Sequence, residues 1–173
     1  MKKIMVRTTI ENLNISIQNA EITDAEFILN LQKKAYQTEA EIYQDWNIPP
    51  LTQTLDELIK AFDEQSILKA VINTETQDQR IVGSVQTFEE SDVVQVGRLM
   101  VDPPFQGQGI GSMLLDAVEQ LYPGQRLELF TGHLSQENLR LYQKRGYAIF
   151  KEEQIHSDLN FIYLYKVSPY KVS

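Results

Sequence analysis

Residues 99 to 112 read Leu-Met-Val-Asp-Pro-Pro-Phe-Gln-Gly-Gln-Gly-Ile-Gly-Ser, and no other stretch restricts the chain so tightly. An apolar run, Val93–Val101, is stopped by two prolines. Gly107, Gly109 and Gly111 follow, and then Leu114, Leu115, Val118, Leu121 and Tyr122 recur at helical spacing as far as Pro123-Gly124. The pattern is a strand, a tight turn and a helix start. The glycines permit positive φ and let a ligand approach the backbone closely. The first turn of a helix also carries N–H groups that have no intrahelical acceptor, at the positive end of its dipole. Such a turn suits a phosphate or pyrophosphate. Two well-known phosphate loops fit poorly. No lysine follows the glycines, as G-x-x-x-x-G-K-[ST] requires, and the third glycine of G-x-G-x-x-G would fall on Ser112. On these residues alone, a glycine turn that binds nothing is the competing reading.

The surrounding chain supplies the fold class. Residues 1–12 read as a loose leader, and 15–18 as a short strand. Thr23 and Glu26 are spaced as a capping box, with Ile22 and Phe27 as its staple. They predict a helix with Phe27, Leu31 and Ala35 on its buried face, fading at 36–38. Residues 39–52 hold Glu41, Tyr43, Asp45, the single Trp46 and Pro49-Pro50, and read as irregular. Thr54 and Glu57 form a second capping box, ahead of Leu55, Leu58, Ile59 and Phe62. Residues 67–72, 81–88 and 93–101 read as three antiparallel strands, and 126–131 as another. Ser135 caps a last helix that ends at Gly146, and 147–151 and 159–166 are closing strands. Tyr-Lys-Val-Ser occurs at 165–168 and again at 170–173, which reads as an unstructured coincidence. The order implies an α+β fold: a mixed, mostly antiparallel sheet of about seven strands flanked by four helices. Length fits one domain over 1–173, with a core at 13–166 and a flexible leader and tail.

Composition removes several chemistries. With no cysteine there is no thiol nucleophile, zinc–thiolate site or disulfide, which suits a reducing, cytoplasmic setting. The two histidines, His133 and His156, make no metal-ligand spacing, so no metal is expected. A net charge of −8 argues against nucleic acid. No apolar run is long enough to cross a membrane, and Met-Lys-Lys at the start is not followed by the core of a signal peptide.

A family resemblance enters here. Leu99-x-Val101-x-Pro103-x-x-Gln106-x-x-Gly109-x-Gly111 resembles the acyl-CoA-binding motif of the GNAT superfamily of N-acetyltransferases. Downstream, Ser135-x-x-Asn138-x-x-Leu141-Tyr142-x-Lys144-x-Gly146-Tyr147 is similar to that family's last-helix motif. The chain looks like a bacterial-type member, and the element order over 13–166 agrees. The resemblance implies that the backbone of Leu99, Met100 and Val101 pairs with the pantetheine arm of acetyl-CoA, and that an N–H there polarises the acetyl carbonyl. It implies that Gln106, Gly107, Gln108, Gly109, Ile110, Gly111 and Ser112 cradle the pyrophosphate. Tyr142 would protonate the departing thiolate. Two positions depart from the pattern. Ser135 stands where many relatives have asparagine, with Asn138 one turn on as a substitute contact. Gln95 stands where some members have a carboxylate base, and it cannot take a proton. His133, or water relayed to Glu89, Glu90 or Asp92, is the candidate base.

With no thiol to carry an acyl group, direct attack by an amine on acetyl-CoA is the simplest route. Charge points to the acceptor. Residues 11–78 carry thirteen acids against four bases, net −9, and the remainder carries +1. A field so divided favours a cationic amine on the first half, entering past Glu41, Tyr43, Asp45 and Trp46 with His133 nearby, and spares the polyanionic donor. The acceptor is then a small amine, or the lysine or N-terminal amine of a peptide. A monomer and a homodimer are both open. A GNAT-fold module that binds acyl-CoA without transfer is the alternative.

Overall fold

The computed structural model describes residues 3–10, 13–73, 76 and 78–170. Eight strands form one sheet in the order β1-β2-β3-β4-β5-β6-β8-β7. They are β1 (Met5–Ile10), β2 (Leu13–Asn19), β3 (Ser66–Asn73), β4 (Gln79–Glu90), β5 (Val93–Val101), β6 (Arg126–Gly132), β7 (Ala148–His156) and β8 (Leu159–Val167). Every neighbouring pair is antiparallel except β5 and β6. Parallel neighbours need a crossover, and α5 (Ile110–Leu121) supplies it.

Two apolar layers cover the sheet. On one face α1 (Ala25–Ala35) and α4 (Leu55–Glu64) bury Ile28, Leu29, Leu31 and Leu58 against Ile67 and Met100. On the other, α5 and α6 (Gln136–Lys144) bury Leu114, Leu115, Val118 and Tyr142 against Ile17, Leu68, Val82, Val94 and Leu127. A Cβ at Gly83 would stand 3.1 Å from Leu114 Cδ1, so α5 lies close on β4 there. Thr54 Oγ1 accepts from Glu57 N–H at 3.2 Å, and Glu57 reaches back to Thr54 N–H at 2.8 Å, closing the capping box expected for α4.

Several expectations need correction. Residues 5–10 are not leader: they form β1 along β2, which gives eight strands rather than seven. Residues 39–52 are largely helical, within α2 (Gln37–Tyr43) and α3 (Pro49–Thr52). Proline is excluded from helix interiors but suits the first turn, and Pro49-Pro50 open α3. Six α-helices therefore stand among the described residues, not four. The first capping box closes two residues early, between Glu21 and Asp24 around a 3-10 turn at Ile22–Asp24. Phe27 is consequently 67 % exposed, while Leu31 is buried as expected, together with Ala25, Ile28, Leu29 and Gln32. The first Tyr-Lys-Val-Ser copy is ordered: it ends β8, and Ser168 is buried with its hydroxyl donating to Glu119 O at 2.8 Å. In the second copy only Tyr170 belongs to the described residues, where it is exposed.

Candidate active site

β5 and β6 pair over only three positions, Val93 to Gln95 against Arg126 to Glu128. β5 runs on to Val101 and β6 to Gly132 without pairing to each other. One reason lies in β5. Between Gly97 and Met100 it holds one residue more than β4 does opposite, and Arg98 has φ +51°. Such a bulge bends and twists its strand. Val101 still pairs with Gly83 on the β4 side, so the edge of Leu99, Met100 and Val101 that faces β6 is open.

The glycine turn stands at the mouth of this gap. Asp102 begins it, buried and fixed from three sides. Its N–H donates to Val82 O at 2.8 Å, its carboxylate accepts from Arg80 Nη2 at 2.8 Å, and its carbonyl accepts from Phe105 N–H at 2.8 Å. Gln106 Nε2 donates back to Val101 O at 3.1 Å. Gly107 and Gly109 have φ +78° and +85°, a region where other residues are strained. Beside Gly107 there is open space where a Cβ would stand. No side chain caps α5, and its first internal bond runs from Met113 N–H to Gly109 O at 3.0 Å. The N–H groups of Ile110, Gly111 and Ser112 therefore have no intrahelical acceptor. Open room, free amides and the helix dipole together fit a bound pyrophosphate.

Tyr142 comes up from α6, buried at 6 % exposure. Burial raises its phenol well above the ordinary value of 10, and Tyr36, Tyr147 and Glu39 add to this, so Tyr142 stays protonated. Tyr36 is pushed up to about 12 by burial, against the opposing pull of the Arg98 guanidinium at its hydroxyl. The bulge residue Arg98, the end of α1 and α6 thus converge on one point.

The first residues of α6 meet α2. Ser135 is the N-cap residue, as expected, but its hydroxyl does not cap. It donates to Glu39 Oε2 at 2.7 Å and lies 2.8 Å from the Tyr43 hydroxyl. Leu134 N–H donates to the same tyrosine oxygen at 3.0 Å. Asn138 Nδ2 stands 3.4 Å from Glu39 Oε1 and 3.3 Å from Thr131 Oγ1. Tyr43 is therefore a strut between α2 and α6, packed over Gly132, where a Cβ would fall on its hydroxyl. Of the other acceptor-side candidates, Trp46 is 53 % exposed and Glu41 is exposed. Asp45 Oδ1 accepts from Asn47 N–H at 2.9 Å. His133 Nδ1 lies 2.9 Å from Asn160 N and 3.3 Å from Asn160 O, which holds the ring against β8. Gln95 lies at the last position of the β5–β6 pairing.

Sequence reasoning missed Glu39, Tyr36 and Arg98. The signal for two of them was available: Tyr36, Glu39 and Tyr43 stand at i, i+3 and i+7, one face of a helix.

The model of the acetyltransferase (GNAT) family matches residues 26–147. No curated protein matches the sequence. Solved structures resemble the fold at low identity. One is RimL, described as a ribosomal L7/L12 alpha-N-protein acetyltransferase in complex with coenzyme A. It is 16 % identical with a TM-score of 0.70, over 96 % of this chain and 98 % of that one. A GNAT-family acetyltransferase from Streptococcus pneumoniae is 20 % identical, with a TM-score of 0.69 over 88 % and 98 %. The PaiA N-acetyltransferase of Thermoplasma acidophilum, in complex with coenzyme A, is 15 % identical, with a TM-score of 0.67 over 86 % and 97 %.

Proposed function

The chain belongs to the acetyltransferase (GNAT) family, whose donor is acetyl-CoA, and from that premise we propose that it acetylates a cationic amine by direct transfer. The observation that carries this reading is the parting of β5 from β6 with the glycine turn at its mouth and Tyr142 beside it. Acetyl-CoA supplies an acetyl group activated as a thioester and departs as the thiol. The amides from Gly107 to Ser112 hold the pyrophosphate, with Gln106 keeping the turn in place through Val101. The open edge of Leu99, Met100 and Val101 pairs with the pantetheine arm and directs a backbone N–H at the acetyl oxygen, where negative charge develops. Tyr142, kept neutral by burial, gives its proton to sulfur. Ser135 and Asn138 act on this side by fixing the start of α6. Glu41, Tyr43, Trp46 and His133 border the acceptor's approach, and the whole chain works as one domain.

The test is release of coenzyme A from acetyl-CoA against a panel of amines, for wild type and Tyr142→Phe. Wild type should turn over amines. The variant should lose about 100-fold or more in kcat, as removal of a general acid does, while its affinity for coenzyme A stays within twofold. Binding of acetyl-CoA with no turnover of any amine would leave a binding module instead. Full activity in Tyr142→Phe would remove Tyr142 from the mechanism.

A further inference from the structure

Glu39 is a carboxylate that the fold holds beside the proposed reaction centre without neutralising it. It stands on α2, half-buried, with both oxygens oriented by neutral donors: Ser135 Oγ at 2.7 Å and Asn138 Nδ2 at 3.4 Å. Among the described residues it makes no ion pair, although six other pairs occur among them. The groups around it are three phenols, Tyr36 and Tyr43 on its own side and Tyr142 from α6. Its charge is felt at each of them. The Arg98 guanidinium of β5 is directed at the Tyr36 hydroxyl. The His133 ring stands 6.2 Å from that of Tyr43, with its Nδ1 occupied. A partly desolvated carboxylate without a counter-ion is costly unless something cationic completes it. Here the carboxylate is on the acceptor half and is bonded, through Ser135, to the start of the helix that carries Tyr142.

We propose that Glu39 is the acceptor-side catalytic residue: its carboxylate pairs with the ammonium of the acceptor and takes its proton. This rests on the transferase reading above and supplies the base that Gln95 cannot be. The step balances. An N–H bond of the ammonium breaks, its electron pair stays on nitrogen, and the proton forms an O–H bond on Glu39. The freed pair forms the new N–C bond to the acetyl carbon, and the C–S bond breaks with its pair on sulfur. Tyr142 gives sulfur a proton and regains one from the acylated nitrogen. Glu39 sheds the first proton to solvent. Ser135 and Asn138 hold the carboxylate against rotation, which is the orienting role a base requires.

Calorimetry on the full chain saturated with coenzyme A tests this without turnover. The probe is 1,4-diaminobutane, with 1,4-butanediol as its uncharged counterpart. Wild type should bind the diamine, and E39Q should lose about 10- to 100-fold, the scale of a hydrogen bond to a charged group. Coenzyme A affinity should stay within twofold and unfolding should stay cooperative in E39Q, whose amide oxygen still accepts from Ser135, which shows that the site still folds. E26Q removes the same charge from an exposed position of the same half and should leave diamine binding within twofold. With acetyl-CoA, kcat/KM of E39Q for the diamine should fall about 100-fold at pH 7. It should then climb tenfold per pH unit, tracking the free amine, where wild type levels off. Equal diamine binding by wild type and E39Q overturns the proposal, as does wild-type binding no tighter than the diol. Amine turnover that E39Q leaves intact overturns it too, while the transferase reading stands. Glu39-dependent diamine binding without wild-type turnover supports the pairing of Glu39 with the ammonium, and overturns its proton transfer together with the transferase reading.

Discussion

Gly132 offers the sharpest test of how the two halves of the site are joined. A Cβ at this position would fall on the Tyr43 hydroxyl, so Gly132→Ala must push Tyr43 out. Tyr43 would then lose two hydrogen bonds, to Ser135 Oγ at 2.8 Å and from Leu134 N–H at 3.0 Å. At about 1 kcal/mol each the loss is about 2 kcal/mol. Alanine in a strand gains about 0.5–1 kcal/mol over glycine, because glycine sacrifices more freedom on folding. The net cost of Gly132→Ala in wild type is therefore about 1–1.5 kcal/mol. In a Tyr43→Ala background there is nothing to displace, and the same substitution should stabilise by about 0.5 kcal/mol or more. The sign of the effect reverses. Urea denaturation of the four proteins of the cycle measures this, with a coupling energy of about 2 kcal/mol expected. Effects of Gly132→Ala that agree in the two backgrounds would refute the strut. Since α2 also carries Glu39, Gly132→Ala should raise KM for the amine while leaving affinity for coenzyme A unchanged.

Two further outcomes concern the core. Burial raises the phenols of Tyr142 and Tyr147 above the ordinary value of 10. Below pH 10 both states of the protein keep these protons and stability is full. Tyr36, pushed up to about 12, is a third such phenol. Above pH 10 the unfolded chain sheds three protons that the folded chain retains, so stability falls by about 4 kcal/mol by pH 11. Urea midpoints that agree at pH 9 and pH 11 would contradict this, and Tyr147→Phe should remove about a third of the fall. Lys166 Nζ donates to Glu119 Oε1 at 2.6 Å and to Arg145 O at 2.7 Å, tying β8 to α5 and to the end of α6. Lys166→Met leaves Glu119, 8 % exposed, without its cation and should cost about 3 kcal/mol, partly restored by adding Glu119→Gln.

What the sequence revealed depended on whether the deciding interaction was local. β5 was readable to the residue because prolines end it, and the α4 capping box because Thr54 and Glu57 bond only to each other. The start of α1 was not. Thr23–Glu26 and Glu21–Asp24 have the same spacing. The choice is favoured by Lys69, forty-five residues on, whose Nζ donates to Asp24 Oδ2 at 2.8 Å. The face of α1 followed that choice, which is why Phe27 points outward. For 39–52 the error was one of rule. Pro49-Pro50 were treated as helix-stopping when they stand where a helix begins. That reading concealed α2, and with it Glu39. The motif residues from Gln106 to Ser112 were legible because glycine content and positive φ are bound together. The bulge at Arg98 had no such mark, since arginine is an unlikely choice for positive φ.

The two substrates' sides are separate in sequence but share one mechanical point. Ser135 begins α6, the helix that carries Tyr142, and its hydroxyl is spent on Glu39 and Tyr43 of α2. A hydroxyl used to cap its own helix would fix α6 alone. Used across the gap, it makes the direction of the proposed acid depend on the position of the proposed base. The acidic first half therefore contributes more than a field. Glu39 accepts from the residue that begins α6, so on the proposal above a cation arriving at Glu39 would also act on the bonds that aim Tyr142.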